Sequence, residues 1–177
     1  MSAEAAPTAP AALKRVPSAW TGPLQYSVAG WYLFNALWVV SLPFWFASTL
    51  VVIVYGVEAL DPNPTTVPQD WVESTMSSAR SFLWLWAIAF APVHLLVAWG
   101  SWKRWTWMHF AVLALLLIGA VPAPFAAVAL AGAPPARDLA IDWIFTIFGL
   151  VGVVLLIPML IATLRYGPWA CRRVSAA

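Results

Sequence analysis

Four long apolar runs, separated by short polar segments, dominate the chain. They cover residues 27–55, 82–102, 107–131 and 143–164, and none of them contains Asp, Glu, Lys or Arg. About 20 helical residues cross the roughly 30 Å of hydrocarbon in a bilayer, and a segment in lipid must satisfy its backbone hydrogen bonds internally. The pattern therefore predicts an all-α integral membrane protein with four transmembrane helices in a bundle.

Proline lies inside every one of these runs. Pro43, Pro92 and Pro158 interrupt the first, second and fourth runs, and Pro122 and Pro124 interrupt the third. A proline removes one backbone hydrogen bond and clashes with the preceding turn, so it bends a helix. We expect kinks at these positions rather than breaks.

The remaining segments set the domain boundaries. Residues 1–26 begin with a stretch rich in Ala and Pro, which predicts a disordered or interfacial N-terminal tail. Residues 27–166 form the predicted transmembrane domain, and residues 167–177 form a short basic tail.

The longest connection, residues 56–80, changes character halfway. Thr66 is a suitable N-cap and Pro68 suits a first helical turn. From there on, apolar residues recur at helical spacing, namely Val72, Met76, Ala79 and Leu83. We expect the second helix to begin here, so that the outer loop is partly helical. An ordinary loop with chance periodicity is the alternative.

Charged residues are divided unequally between the two ends of the predicted helices. Basic residues precede the first helix, join the second to the third and follow the fourth, while six of the seven acidic residues lie at the opposite end. Loops rich in Lys and Arg face the cytoplasm, so both termini are predicted to be cytoplasmic. Arginine outnumbers lysine, and Ala and Pro are abundant, which favours a bacterial cytoplasmic (inner) membrane.

The composition excludes several classes of protein. Hydrophobic residues make up 63% of the 177 residues and charged residues 9%, against about 45–50% and about 25% in soluble domains. A soluble globular domain, a disordered chain and a nucleic-acid partner are thereby excluded. The expected partners are the lipid bilayer and other membrane subunits. The single cysteine, Cys171, allows no intramolecular disulfide.

Few side chains in the runs can carry chemistry. Intramembrane enzymes and coupled transporters generally need ionisable groups inside the membrane, and the runs offer only His94 and His109. We therefore expect no catalytic residue, no metal site and no cofactor. The chain is interpreted as a non-enzymatic accessory or assembly subunit of a membrane complex.

One polar pair supports an alternative function. Asn35 and His94 lie about 12 Å and about 10 Å from the same end of two antiparallel helices. A hydrogen bond between them would join the helices and contribute about 0.6 kcal/mol. In the alternative, Asn35, His94 and Trp38, one turn beyond, form the polar end of a pocket that binds a lipid, quinone or sterol-like molecule.

A haem protein is the third hypothesis. Two histidines on adjacent helices, His94 and His109, are candidate ligands for a haem iron. Otherwise, we expect His94 to be buried and hydrogen-bonded across helices, and His109 to lie at the membrane interface.

Small residues and tryptophans complete the pattern. A row of alanines on the third helix (Ala123, Ala127 and Ala131) and two glycines on the fourth (Gly149 and Gly152) predict close helix contact. This contact is expected inside the bundle, with a partner subunit as the alternative. Twelve of the 13 tryptophans are predicted to fall into two interfacial belts, with Trp169 in one of them, and only Trp38 is predicted near mid-bilayer.

Overall fold

The four predicted runs are helical in the computed structural model, which describes residues 13–56, 67–131 and 140–175. The helices are α1 (Thr21–Tyr55), α2 (Gln69–Trp102), α3 (Thr106–Ala120), α4 (Ala123–Ala131) and α5 (Ala140–Tyr166). Counting α3 with α4, four of these stretches are long and apolar enough to cross a membrane. The chain is therefore a multi-pass membrane protein, as its hydrophobic pattern predicts.

The third predicted helix is broken rather than kinked. Val121 donates its backbone N–H to Leu117 and closes α3, and the carbonyl of Pro122 accepts the N–H of Ala126 in α4. Pro122 and Pro124 lack backbone N–H groups, so two hydrogen bonds are missing within one turn. A single proline in each of the other runs leaves the helix continuous: Pro43 in α1, Pro92 in α2 and Pro158 in α5.

Two short strands replace parts of the expected tails. Strands β1 (Leu13–Pro17) and β2 (Cys171–Ser175) pair antiparallel, with Arg15 opposite Arg173. The first helix begins at Thr21, six residues before the expected boundary at residue 27. Neither strand can be recognised alone, because each needs a partner from the far end of the chain. The rest of the predicted N-terminal tail, residues 1–12, lies outside the described residues.

The described residues form two compact units. Unit 1 contains residues up to Ser27 and from Arg104 onward, and unit 2 runs from Val28 to Lys103. α1 contributes to both units, and a single transmembrane domain over residues 27–166 stays a prediction.

Unit 2 is a long antiparallel hairpin of α1 and α2. Leu42, Ala47 and Leu83 form one buried cluster between the two helices, and Val51 with Val72 forms a second. At the last residue of α1, the Tyr55 hydroxyl lies 3.0 Å from the Thr75 hydroxyl of α2.

The apolar positions predicted after Pro68 do belong to a helix, and they form its buried face in this hairpin. The helix begins at Gln69, with Pro68 in the N-cap position. The expected cap, Thr66, lies outside the described residues. At 34 residues, α2 is about 51 Å long, well beyond the roughly 30 Å of hydrocarbon that it crosses.

In unit 1, α5 packs on α3 and α4 through small residues. A Cβ atom placed on Gly149 would lie 2.5 Å from the Cβ of Ala123, and one on Gly152 would lie 3.7 Å from the Cβ of Ala120. The predicted close contact is therefore internal to the chain. It uses Ala120 and Ala123, whereas Ala131 at the end of the predicted alanine row is exposed.

Candidate functional site

A buried polar network surrounds His109 in unit 1. The ring is completely enclosed. Its Nε2 lies 2.7 Å from the hydroxyl oxygen of Thr163 in α5, and its Nδ1 lies 3.2 Å from the backbone nitrogen of Trp169. The side chain of His109 therefore lies inside the protein, and the expectation that this residue lies at the depth of the membrane interface stays a prediction.

The hydrogen bonds assign the ring protons of His109. A backbone N–H can only donate, so Nδ1 accepts from Trp169 and carries no proton. In the neutral ring Nε2–H then donates to Thr163, whose hydroxyl donates in turn to the carbonyl of Met159 at 2.6 Å. Both ring nitrogens are used within the protein, so binding of a haem iron by His109 would first break one of these bonds.

The backbone conformation of the segment after α5 brings Trp169 into contact with His109. Gly167, Trp169 and Ala170 all have positive φ angles, of 94°, 54° and 53°. The N–H of Ala170 donates to the Gly167 carbonyl at 3.0 Å. Pro168 and Trp169 are thus the second and third residues of a four-residue turn. The turn has the features of type II, in which the third residue is normally glycine.

Burial and hydrogen bonding hold this turn in place. The Trp169 ring is 1% exposed, lies 4.9 Å from the His109 ring, and donates its indole N–H to the Trp105 carbonyl at 2.8 Å. The carbonyl of Ala170 accepts from the Thr21 hydroxyl at 3.1 Å and from the Ser18 N–H at 3.2 Å. Trp169 is thus a packed core residue rather than the interfacial anchor expected from its position.

The lone cysteine belongs to the same region. The Cys171 thiol is buried, 3.5 Å from the Trp169 carbonyl and 3.9 Å from the Thr21 hydroxyl. These contacts make it part of the packing between β2 and the start of α1.

In unit 2, His94 has the opposite environment. Its Nδ1 donates to the Phe90 carbonyl of its own helix at 2.8 Å, which leaves Nε2 as the acceptor of a neutral ring. The ring is half-buried beside Tyr32, with centroids 5.9 Å apart. Within the described residues, His94 makes no hydrogen bond to another helix, so the expected cross-helix bond is not formed.

Asn35 is satisfied in the same local way. Its side-chain amide donates to the Trp31 carbonyl one turn earlier, at 2.7 Å. Asn35 and His94 therefore each bond the backbone of their own helix, and no hydrogen bond joins them in the part of the chain that the structure describes. The side-chain amide and the imidazole can both reach the carbonyl four residues earlier in their own helix. This local hydrogen bond competes with a hydrogen bond to a partner on the neighbouring helix.

Trp38 packs beside the first buried cluster of unit 2. Its ring meets that of Trp45 edge-on at 5.2 Å and that of Phe34 at 6.3 Å. The three predicted ligand-binding residues thus lie on one hairpin, with Trp38 in an aromatic group and His94 beside Tyr32.

Ser101 adds a polar group that the sequence did not single out. Its side chain is completely buried, and its hydroxyl has no hydrogen-bond partner among the described residues. Ser101 follows His94 by seven residues, so the two lie on one face of α2, about two turns apart.

No group of three metal-ligating side chains occurs in the described ranges. Comparison of the chain with protein-family models, with curated proteins and with solved structures yields no match.

Proposed function

We propose that this chain is a non-enzymatic accessory or assembly subunit of a larger membrane complex. One feature of α2 carries the proposal. Phe82, Trp86 and Phe90, here called the aromatic row, follow one another at four-residue spacing with ring centroids 6.2 Å and 4.2 Å apart. They are 60%, 43% and 38% exposed.

The aromatic row suits a protein partner better than lipid alone. Lipid tails are as apolar as leucine, so burial from water does not drive helices together in a membrane. Helix association there depends on complementary shape and close packing. The stacked rings of Trp86 and Phe90 offer a rigid surface, and aromatic residues are enriched where proteins meet. The row lies in a helix that is apolar enough to span the membrane, so we propose a transmembrane helix of another subunit as its partner.

Native mass spectrometry of the full chain, released directly from its own membrane, tests this proposal. We expect the chain in a fixed ratio with a different polypeptide. In a Trp86→Leu variant that complex should be lost, whereas it should persist in Phe125→Leu, which changes an exposed aromatic residue of α4. Recovery of the unmodified chain only as a monomer with lipid would refute the proposal.

We further propose that both termini are cytoplasmic and that the membrane is the bacterial inner membrane. The pairing of β1 with β2 supports the proposal that both termini lie on the same side, because it puts both terminal segments at one end of unit 1. Both strands are basic, and basic segments stay on the cytoplasmic side.

A second candidate function is the binding of a hydrophobic small molecule near Asn35, Trp38 and His94. The observation in its favour is the pair of polar atoms on one face of α2 that lack a described partner, the His94 Nε2 and the Ser101 hydroxyl. A quinone, sterol or lipid headgroup carries the hydroxyl or carbonyl groups that such atoms bind.

His94→Leu distinguishes this candidate from a purely structural role. If the site binds a ligand, organic extracts of the purified variant should contain less of a molecule that co-purifies with the unmodified chain. A variant that unfolds more readily but keeps the same extract would rule out the pocket.

A further inference from the structure

The paired strands concentrate positive charge at one end of unit 1. Lys14 and Arg15 in β1, and Arg172 and Arg173 in β2, are all exposed. Arg15 and Arg173 are directly opposite each other in the register. Lys14 and Arg172 are diagonal neighbours on the other face, because each faces a valine across the sheet. Like charges placed opposite each other destabilise a strand pair.

Nothing in the described part of unit 1 neutralises these charges. The only acidic residue in that part is Asp142, at the start of α5. The remaining length of α5 from Asp142 to Tyr166, about 36 Å, separates it from the segment that leads to β2. An anion from outside the described residues would therefore balance these charges.

A hollow lined by basic and aromatic residues adjoins the sheet. The Arg15 guanidinium donates to the Thr106 hydroxyl. Thr106 lines a surface hollow of about 470 Å³ together with Arg104, Trp105 and Trp107. The two indole rings are stacked, with centroids 5.8 Å apart. Tryptophan and arginine together are typical of the headgroup layer of a membrane.

The sheet and the hollow adjoin helix ends at which we expect the headgroup layer. β1 ends four residues before α1, and β2 begins five residues after α5. The hollow is formed at the start of α3. All three helices belong to stretches long and apolar enough to span a membrane. We therefore place the start of α1, the start of α3 and the end of α5 near the boundary between hydrocarbon and water.

We infer that this surface, here called the basic clasp, binds the phosphate headgroups of anionic phospholipids in the leaflet at that end. Charge complementarity carries the assignment, since a zwitterionic lipid would leave the Arg15–Arg173 repulsion largely uncompensated. The inference does not depend on the accessory-subunit proposal, because it concerns unit 1 and the lipid rather than the aromatic row.

The test uses the purified full chain in a neutral detergent, titrated with dioleoyl phosphatidylglycerol and followed by native mass spectrometry. We expect saturable binding, with much weaker binding of dioleoyl phosphatidylcholine and no competition from an equal concentration of inorganic phosphate. The double variant Arg15→Gln, Arg173→Gln should bind phosphatidylglycerol about 30-fold more weakly, or about fivefold for each charge removed. The control Arg80→Gln on α2 should stay within about twofold of the unmodified chain.

Three results would overturn the inference. They are equal affinity for the two lipids, full affinity in the double variant, and displacement by inorganic phosphate, which would indicate a free-anion site. A salt titration of the unmodified chain adds a test that needs no variant. Affinity for phosphatidylglycerol should fall as NaCl rises from 0.05 to 0.5 M, because exposed charges are screened, and unchanged affinity would contradict the basic clasp.

Discussion

The backbone N–H of Trp169 donates to the Nδ1 of His109 at 3.2 Å, although the two residues are 60 positions apart in the chain. This bond joins the segment after the last helix to the first turn of α3. It also fixes the proton on the other ring nitrogen, which donates to Thr163. The C-terminal segment is thus part of the folded core of unit 1.

The first prediction concerns this bond. His109→Leu should lower the free energy of unfolding by about 1–3 kcal/mol, because it leaves the buried Trp169 N–H without a partner. Trypsin should also cleave faster after Arg165, since the segment beyond it is released. His94→Leu is the matched control and should change stability by less than about 1 kcal/mol, because it loses one bond at a half-exposed site. Thermal unfolding in detergent and timed proteolysis measure both effects, and equal losses in the two variants would contradict the network.

The second prediction concerns the contact between α5 and α4. Gly149→Ala should destabilise unit 1 by about 1–3 kcal/mol, because the new methyl group would lie 2.5 Å from the Ala123 Cβ. Gly119→Ala is the control, since a Cβ there meets nothing within 4 Å. That variant should be neutral or more stable by up to about 1 kcal/mol. If Gly149→Ala unfolds at the same temperature as the unmodified chain, the helices are not in the proposed contact.

The third prediction tests the register of the strand pair. In a Cys171→Ser background, Lys14→Cys with Val174→Cys should form a disulfide on mild oxidation, because the two positions are directly opposed. Lys14→Cys with Arg173→Cys should not, since a shift of one residue puts the second thiol on the other face of the sheet. Intact-mass measurement detects the bond by the loss of about 2 Da. Equal oxidation of both pairs would mean that the strands are not held in this register.

Much of the fold was predictable because the lipid environment restricts the choices. Long uncharged runs in a membrane must be helical, and all four are, although the third is divided into α3 and α4. The position of each residue along its helix also follows from counting, which is how Asn35 and His94 were placed at one depth. Counting does not say which way a side chain turns about the helix axis.

The two histidines show what was not predictable. His94 was expected to be buried with a hydrogen bond to another helix, but it is half-buried and bonds its own helix, whereas His109 is the enclosed one. His109 is enclosed because Trp169 and Thr163 pack on it, and neither contact has a local signal beside His109. The dipeptide Gly167–Pro168 is a turn signal that was present in the sequence, and it marks the point where the chain folds back toward α3. The strands were missed for the same reason, since each becomes a strand only by pairing with the other.

The central claim is that the aromatic row of α2 docks against a transmembrane helix of another subunit. Site-specific photo-crosslinking in the native membrane tests it most directly, with the crosslinking residue at Phe90 and, as a control, at Phe125, which is 74% exposed on α4. The account predicts one discrete protein adduct from position 90 that disappears when Trp86 is replaced by Leu, and lipid adducts alone from position 125. Lipid adducts alone from both positions would contradict it.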